Sequence, residues 1–385
     1  MLGLYIHIPF CASRCIYCDF YSTTGRNRSL FVSSLLRDIE SSAHNPTLSA
    51  LVKEKVRTVY FGGGTPSQLS PTELSEIIQC LGRYFDLQDV EEVTMEMNPD
   101  DISDDYLSVL PSCINRVSLG IQSFVDSELK LLNRRHDANG AKQAVLLLKN
   151  HGFNNISLDL MYGLPGQTLE SLQYSIEQAL SLHPQHLSAY NLSIEENTPL
   201  SRMKVGNWIK TPSGILILPD EETCNQMNLL LRDKLKNAGF VQYEISNYAL
   251  PSFESKHNSS YWNSTPYIGF GPGAHSYDGN NRRWWNEPNL DAYMAGKLKQ
   301  GEEILLEEDK FNEHIMLPLR TIHGINVQQL EQDFPLLYQK YFVRESGKLL
   351  SEGYLSSYTN HRNTYYRLSG KALHLADYVI RRLIV

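Results

Sequence analysis

Three cysteines, Cys11, Cys15 and Cys18, stand in the run Ile6-His7-Ile8-Pro9-Phe10-Cys11-Ala12-Ser13-Arg14-Cys15-Ile16-Tyr17-Cys18-Asp19-Phe20. Their spacing is C-x-x-x-C-x-x-C, directly after an apolar, strand-like stretch. Thiolates this close in sequence reach one metal centre only across a loop, and Pro9 ends the strand where that loop must begin. An iron–sulfur cluster ordinarily takes four cysteines, and the next one, Cys80, lies far away in a helical pattern. A cluster on three thiolates leaves one iron open to a small-molecule ligand. The same residues also allow a zinc site completed from elsewhere, or a disulfide with a spare thiol. Zinc knots usually come as two close cysteine pairs, and the sequence holds no second pair.

Other residue types gather around this motif. Gly62-Gly63-Gly64-Thr65-Pro66 follows the second strand pattern, and such a run is either a tight turn or a place where backbone amides approach a carboxylate. Glu96, Gln122, Asp159 and Ser193 fall near the ends of later strand patterns and, with Arg134 as a further candidate, are possible polar contacts for a bound ligand. Asp159 lies inside an apolar strand and needs a buried partner or a ligand. A second cluster, His257-Asn258-Ser259-Ser260-Tyr261-Trp262 and Gly269 to His275, combines histidine with flat aromatic rings. That combination suits haem, although a lone histidine is more often structural.

The elements that must position these residues alternate regularly. Strand patterns occur at residues 4–8, 56–61, 93–97, 117–121, 156–160 and 187–192, with helical spacing at 30–39, 141–148 and 169–180 and a capped start at Ser70-Pro71. Six strand–helix units in about 200 residues predict a parallel sheet with helices outside, either open or curved into an incomplete barrel. Chemistry then belongs at the carboxyl ends of the strands, where the cysteines, the glycine run, Glu96, Gln122, Asp159 and Ser193 are expected to meet. Beyond residue 200 the pattern changes. Residues 200–218 read as irregular, 220–235 as a helix, 241–246 as a strand and 258–285 as loops. The last 75 residues read as mainly helical, with a strand at 364–368 and a helix from Gly370 to Ile384, compatible with a winged-helix-like domain. The division expected is 1–200, 201–305 and 306–385.

Composition narrows the class. The 385 residues are 42% hydrophobic and 20% charged, as in ordinary soluble globular proteins. A net charge of −8 argues against a nucleic-acid binder, whose footprint would be basic. Cys80, Cys113 and Cys224 are dispersed and suit a reducing compartment. No apolar run is long enough for a transmembrane segment, and Met1-Leu2-Gly3 enters the first strand without a signal-peptide pattern. Cytoplasm is the expected location.

The cysteine spacing, with the aromatic Tyr17 before the third cysteine, resembles the signature of the radical S-adenosylmethionine superfamily. Tyr5 to Cys11, Gly62 to Pro66, Glu96-Met97-Asn98-Pro99, Gly120 to Phe124, Asp159 to Pro165 and the HNSSYW segment resemble the haem-chaperone branch of the anaerobic coproporphyrinogen-III oxidase-like family. The resemblance covers nearly the whole chain. It implies a partial (β/α)6 barrel, a [4Fe-4S] cluster on Cys11, Cys15 and Cys18, and S-adenosylmethionine on the open iron. It further implies S-adenosylmethionine contacts from Tyr5, Tyr17, Gly63, Gly64, Thr65, Glu96, Gln122, Arg134, Asp159 and Ser193, and haem contact at His257. The partners implied are haem and haem-acceptor proteins. The oxidase of the same family, with its radical decarboxylation of coproporphyrinogen III, is the alternative function. The oxidase carries a further cysteine where this chain has Phe20, and a long N-terminal extension before the first strand, so both features favour the chaperone branch.

Overall fold

A computed structural model of the chain describes residues 1–25, 27–212, 214–297, 300–370 and 372–385. Six parallel strands form its centre: β1 (Leu2–Ile8), β2 (Val56–Gly63), β3 (Glu92–Met97), β4 (Arg116–Gln122), β5 (Ile156–Tyr162) and β6 (His186–Asn191). They pair in sequence order, and their apolar runs are buried, as parallel strands covered by helices must be. Helices Arg28–Ala43, Pro71–Tyr84, Ala138–Asn150 and Leu169–Ser181 fill the connections. The helix at Pro71 starts as its sequence requires: Ser70 and Glu73 form a reciprocal capping box and proline occupies the first turn.

The chain after residue 200 extends this sheet on both sides. A small antiparallel unit comes first, β7 (Lys204–Val205), β8 (Trp208–Thr211) and β9 (Gly214–Ile217). This corrects the irregular reading of 200–218, of which Ser213 lies outside the described residues. Gly206 adopts φ +59° and makes the tight turn that the short strands need. The helix Glu221–Asn237 follows, capped by Asp220. The strand expected at 241–246 is interrupted: β10 (Val241–Gln242) stops where the Glu244 carboxylate accepts the Ser246 N–H at 2.9 Å, and β11 (Asn247–Ala249) turns back antiparallel along β6.

Residues 258–285 are not loops. The helix Lys256–Trp262 leads to β12 (Tyr267–Phe270), which runs parallel to β1 on its free side. Then β13 (His275–Tyr277), β14 (Arg282–Asn286) and β15 (Gln300–Ile304) continue antiparallel. Glycine inside a strand marks close backbone approach: a Cβ on Gly269 would lie 2.2 Å from the His275 carbonyl oxygen. Among the described residues the sheet has twelve strands, from β10 to β15, and its two ends do not pair. It is therefore an incomplete barrel with six parallel strand–helix units at its heart.

A second apolar core, separate from the barrel's, gathers Phe311, Ile315, Phe342, Leu349 and Val379. It lies among helices Glu307–Leu319, Val327–Asp333 and Leu336–Ser351 and the antiparallel sheet β16 (Ile325–Asn326), β17 (Leu355–Asn360) and β18 (Asn363–Leu368). The helix expected from Gly370 to Ile384 is shorter. A 3₁₀ turn at Leu373–Leu375 precedes a helix at Ala376–Arg381, and Lys371 lies outside the described residues. No helix of the described residues is long and apolar enough to cross a membrane.

One buried carboxylate ties the late strands to the early helix. Asp38, 3% exposed, accepts the Gly271 N–H at 3.1 Å, the Asn286 amide at 3.2 Å and the Tyr293 hydroxyl at 2.8 Å. Gly271 itself has φ +100°, and a Cβ there would sit 2.5 Å from the His7 carbonyl oxygen on β1. Alanine therefore meets both backbone strain and a backbone clash. Gly271→Ala is expected to destabilise the chain by more than about 1 kcal/mol, read as a lower urea midpoint. An unchanged midpoint would show that β12 does not depend on this approach.

Candidate functional site

The loop that carries the three cysteines leaves β1 at Pro9 and is closed at its base. Cys11 N–H donates to the Thr23 carbonyl at 2.9 Å, and Thr23 N–H donates back to Pro9 at 2.7 Å. Its far side is tied to the segment before Arg134: Ile16 N–H reaches the Leu132 carbonyl, and the Asn133 amide donates to the Arg14 carbonyl. His7 braces the return. Its Nε2 lies 2.9 Å from the Tyr21 carbonyl, which can only accept, so Nδ1 is left to accept the Tyr5 hydroxyl at 3.1 Å. Burial lowers the His7 pKa to about 4, consistent with the neutral ring that this pattern needs.

The glycine run lies against this loop because nothing larger fits. A Cβ on Gly64 would sit 2.7 Å from the Phe10 carbonyl oxygen and 3.1 Å from Cys11 Sγ. Gly63, at φ +112°, would strike the His7 ring. Thr65 donates its hydroxyl to Cys11 Sγ at 3.5 Å and accepts from the Asn98 amide at 3.1 Å. Arg134 lies on the other side. One guanidinium nitrogen donates to Cys15 Sγ at 3.3 Å, and another serves Asn98 Oδ1 at 2.7 Å and the Gly120 carbonyl. Its Nε is buried without a partner among the described residues. A buried knot around Glu128, which accepts Ser123, Ser171 and Gln167, pins the segment leading to Arg134.

Burial pushes the Cys11 thiol up, against hydrogen bonds from Thr65 and Ser22 that favour the thiolate. Cys18 is pushed up by burial as well, opposed by the Phe20 backbone. Charge on Cys15 pushes both in the same direction as burial. Yet among the described residues no three His, Cys, Asp or Glu side chains come together closely enough to hold a metal ion. A multi-iron cluster takes its thiolates on separate irons and tolerates wider spacing. The donor set, the alanine-proof cradle at Gly64 and hydrogen bonds aimed at two sulfurs all fit such a group.

The inner wall of the barrel supplies the polar residues. Glu96, near the end of β3, accepts the Tyr60 hydroxyl at 2.8 Å and the Gly63 N–H at 3.2 Å. Burial, with the negative charge of Asp159 in the same direction, raises its pKa to about 7. Asp159 sits in the middle of β5, deeper than the strand-end position expected for it, because its side chain points to the hydroxyls of the flanking strands. Ser118 donates to it at 3.1 Å, and Ser157 lies at 3.5 Å. Burial raises its pKa to about 6. Gln122 closes β4 at a bulge with φ +72°, a strained backbone of the kind that marks sites. Tyr17 packs with Leu132, Met161 and Leu164 beside Arg134. Ser193 stands apart: it is exposed beyond β6 and donates to Glu195 at 2.5 Å.

His257 is enclosed by the protein. It is 0% exposed, its Nδ1 lies 2.8 Å from Thr58 Oγ1, and its Nε2 lies 2.9 Å from the Tyr261 hydroxyl. Its ring stacks on Tyr60 at 5.0 Å and Tyr5 at 6.5 Å. Burial lowers its pKa to about 3. Both nitrogens are engaged inside the protein, and the ring braces Tyr5 and Tyr60. Sequence reasoning missed Arg116, the first residue of β4, which is 1% exposed with Nε and Nη1 unpartnered. Its positive charge lowers the pKa values of Glu96, Asp159 and His257. An arginine at a strand start reads as surface, so only its depth reveals it.

Residues 5–179 match the model of the radical SAM superfamily, which implies a [4Fe-4S] cluster and S-adenosylmethionine. "Heme chaperone HemW" of Lactococcus lactis is 35% identical over 90% of this chain and 89% of its own length. The protein of the same name in Bacillus subtilis is 35% identical over 87% of both chains. The chain belongs to the HemW family. Its fold is also that of a solved relative outside the chaperones: coproporphyrinogen III oxidase (HemN) from Escherichia coli superposes with a TM-score of 0.82, at 22% identity, over 100% of this chain and 90% of that one. HemW-family membership thus rests on sequence, and the architecture on both.

The carboxylates give a pH prediction for the chain without added cluster. In the unfolded chain Glu96 releases its proton near pH ~4.3 and Asp159 near ~3.9, whereas the folded chain holds these protons up to about 7 and about 6. The folded state therefore binds more protons in between, and stability falls as pH rises from about 4.5 to 7. Glu96→Gln keeps the acceptor for Tyr60 and removes the titration. Its urea midpoint is expected to drop less between pH 5 and pH 8 than the unsubstituted chain's. An equal drop would remove Glu96 as a source.

Proposed function

We propose that this chain is a haem chaperone that holds a [4Fe-4S] cluster on Cys11, Cys15 and Cys18, takes exchangeable S-adenosylmethionine on the open iron, and passes haem to acceptor proteins. The observation that carries the cluster is the convergence of Gly64, Thr65 and Arg134 on Cys11 and Cys15. HemW-family membership carries the haem role. When bound, the cluster supplies a reducible centre whose open iron accepts amino and carboxylate groups.

The chain's own groups then have distinct tasks. Arg134 offsets thiolate charge at Cys15, and Thr65 does so at Cys11; hydrogen bonds to cluster sulfurs are a main control of potential. Gly63 and Gly64 let the backbone approach a ligand on the open iron. Glu96 and Asp159 offer acceptors to its ammonium and ribose hydroxyls, while Tyr5, Tyr17 and Gln122 bound the space and Ser193 closes from the outer loop. Phe20, 70% exposed, holds the place of the oxidase's further cysteine, which favours the chaperone over coproporphyrinogen oxidation. The dispersed thiols suit a cytoplasmic location, and the acidic net charge favours protein acceptors over nucleic acid.

Anaerobic reconstitution is expected to load about four irons per chain, and Cys15→Ala to lose them together with the visible absorption of the cluster. The reconstituted protein is expected to take up about one haemin per chain and to form no protoporphyrinogen from coproporphyrinogen III with reductant and S-adenosylmethionine. Loaded protein that ignores haemin, or that forms protoporphyrinogen, would falsify the chaperone reading.

A further inference from the structure

Ser157 and Asp159 stand two residues apart on β5, so their side chains share one face of the strand. Ser157 pairs with His186 on the neighbouring β6. These three and Tyr243, in the bend between β10 and β11, form a hydrogen-bonded chain that begins at the barrel's carboxylate. Ser157 Oγ lies 3.5 Å from Asp159 Oδ1 and 2.7 Å from His186 Nδ1. His186 Nε2 lies 2.8 Å from the Tyr243 hydroxyl, which also accepts the Ser255 N–H at 3.2 Å. Ser157, His186 and Tyr243 are all buried. The backbone of Tyr243 is held on both sides: its N–H donates to the Asn247 carbonyl and its carbonyl accepts the Ile322 N–H, each at 3.1 Å.

The partners fix where each proton sits. The Ser255 N–H can only donate, so among the described residues the Tyr243 hydrogen has one acceptor, His186 Nε2. Burial pushes the His186 pKa well down, and the Arg116 charge acts in the same direction. The ring is therefore neutral, and its one proton sits on Nδ1. That N–H donates to Ser157 Oγ, which leaves the Ser157 hydrogen for the Asp159 carboxylate, a group that only accepts while it is ionised. Every hydrogen of the chain points toward Asp159.

We propose that Tyr243, His186 and Ser157 are positioning residues for Asp159, which hold its carboxylate ionised and turned to accept from the ligand of the barrel. The inference rests on the reading of Asp159 as an S-adenosylmethionine contact and adds the residues that support it from behind. Burial raises the Asp159 pKa, while the hydroxyls of Ser188, Ser118 and Ser157 and the charge of Arg116 draw it back. The other titratable groups that act on it or feel its charge are Glu96 on β3, Tyr60 on β2 and Tyr190 on β6. Two carboxylates in one buried space favour protonation of one of them, so each hydrogen aimed at Asp159 helps to keep it charged. The aim of the Ser157 hydrogen is set by the tautomer of His186, and that tautomer is set by Tyr243.

The test measures S-adenosylmethionine binding to the full-length, cluster-loaded protein by equilibrium dialysis between pH 5 and pH 8. Ser157→Ala removes a hydrogen bond to a charged group and is expected to weaken binding by about tenfold near pH 6. The loss is expected to be smaller at pH 8, where Asp159 is ionised in either case, and the visible absorption of the cluster is expected to stay unchanged. Tyr243→Phe frees Nε2 to take the ring proton, which turns Nδ1 into a competing acceptor for the Ser157 hydrogen. It is expected to shift the pH dependence in the same direction and, because it acts only through Ser157, to weaken the Ser157→Ala protein no further. Ser346→Ala, at a buried serine of the helix Leu336–Ser351, is expected to bind as the unsubstituted protein does. Unchanged binding in both relay variants, or losses that add in the double variant, would overturn the positioning role and leave the S-adenosylmethionine reading in place. Should the Ser157→Ala protein not fold, an unshifted pH dependence in Tyr243→Phe alone overturns the role. An unsubstituted, cluster-loaded protein that binds no S-adenosylmethionine removes the reading on which it rests.

Discussion

A cation sealed inside the barrel sets the electrostatics of everything around it. Arg116 is almost fully buried, and two of its nitrogens have no partner among the described residues. Buried charge without a partner is costly, so its persistence depends on the carboxylates and tyrosines that share the interior. Its influence is felt by Glu96, Asp159, His257, His186 and Tyr243. Burial keeps the histidines neutral and the arginine adds to that, while it draws the carboxylates back toward ionisation against the burial that pushes them the other way. The inner wall is thus poised close to neutrality, with proton occupancy that a charged ligand can shift.

Above this interior, the cysteine loop depends on backbone more than on side chains. Gly63, Gly64 and Gly271 are each required by a neighbouring atom that leaves no room for a methyl group. Arg134 and Asn98 then cross-link the loop to β3 and β4 through one hydrogen-bonded chain. A loop that is built this way can keep three thiols in place without the disulfides or metal knots that small scaffolds use.

The six central strands were legible because parallel strands are continuous apolar runs with helical patterns between them. The cysteines, the glycine run, Glu96 and Arg134 were legible from residue type and motif, and the structure brings them together. What escaped was context. β12 hides a strand behind Gly269, the turn at Gly206 hides a small sheet, and Glu244 cuts an apparent strand in two. His257 has the chemistry of an iron ligand in the sequence, but its surroundings occupy both nitrogens. Arg116 carries no local signal: it looks like a surface residue until its depth and neighbours are known.

The pairing of β12 with β1 also has a consequence for synthesis. The strand that leads into the cysteine loop acquires its second neighbour only when residues 267–270 have been made. At roughly 5–20 residues per second, some ten seconds or more separate the arrival of β2 from that of β12. Throughout this interval one edge of β1 is open, and the cysteine loop lacks the wall formed by Gly271 and Gly273. The growing chain therefore exposes its three thiols before the scaffold that encloses them exists.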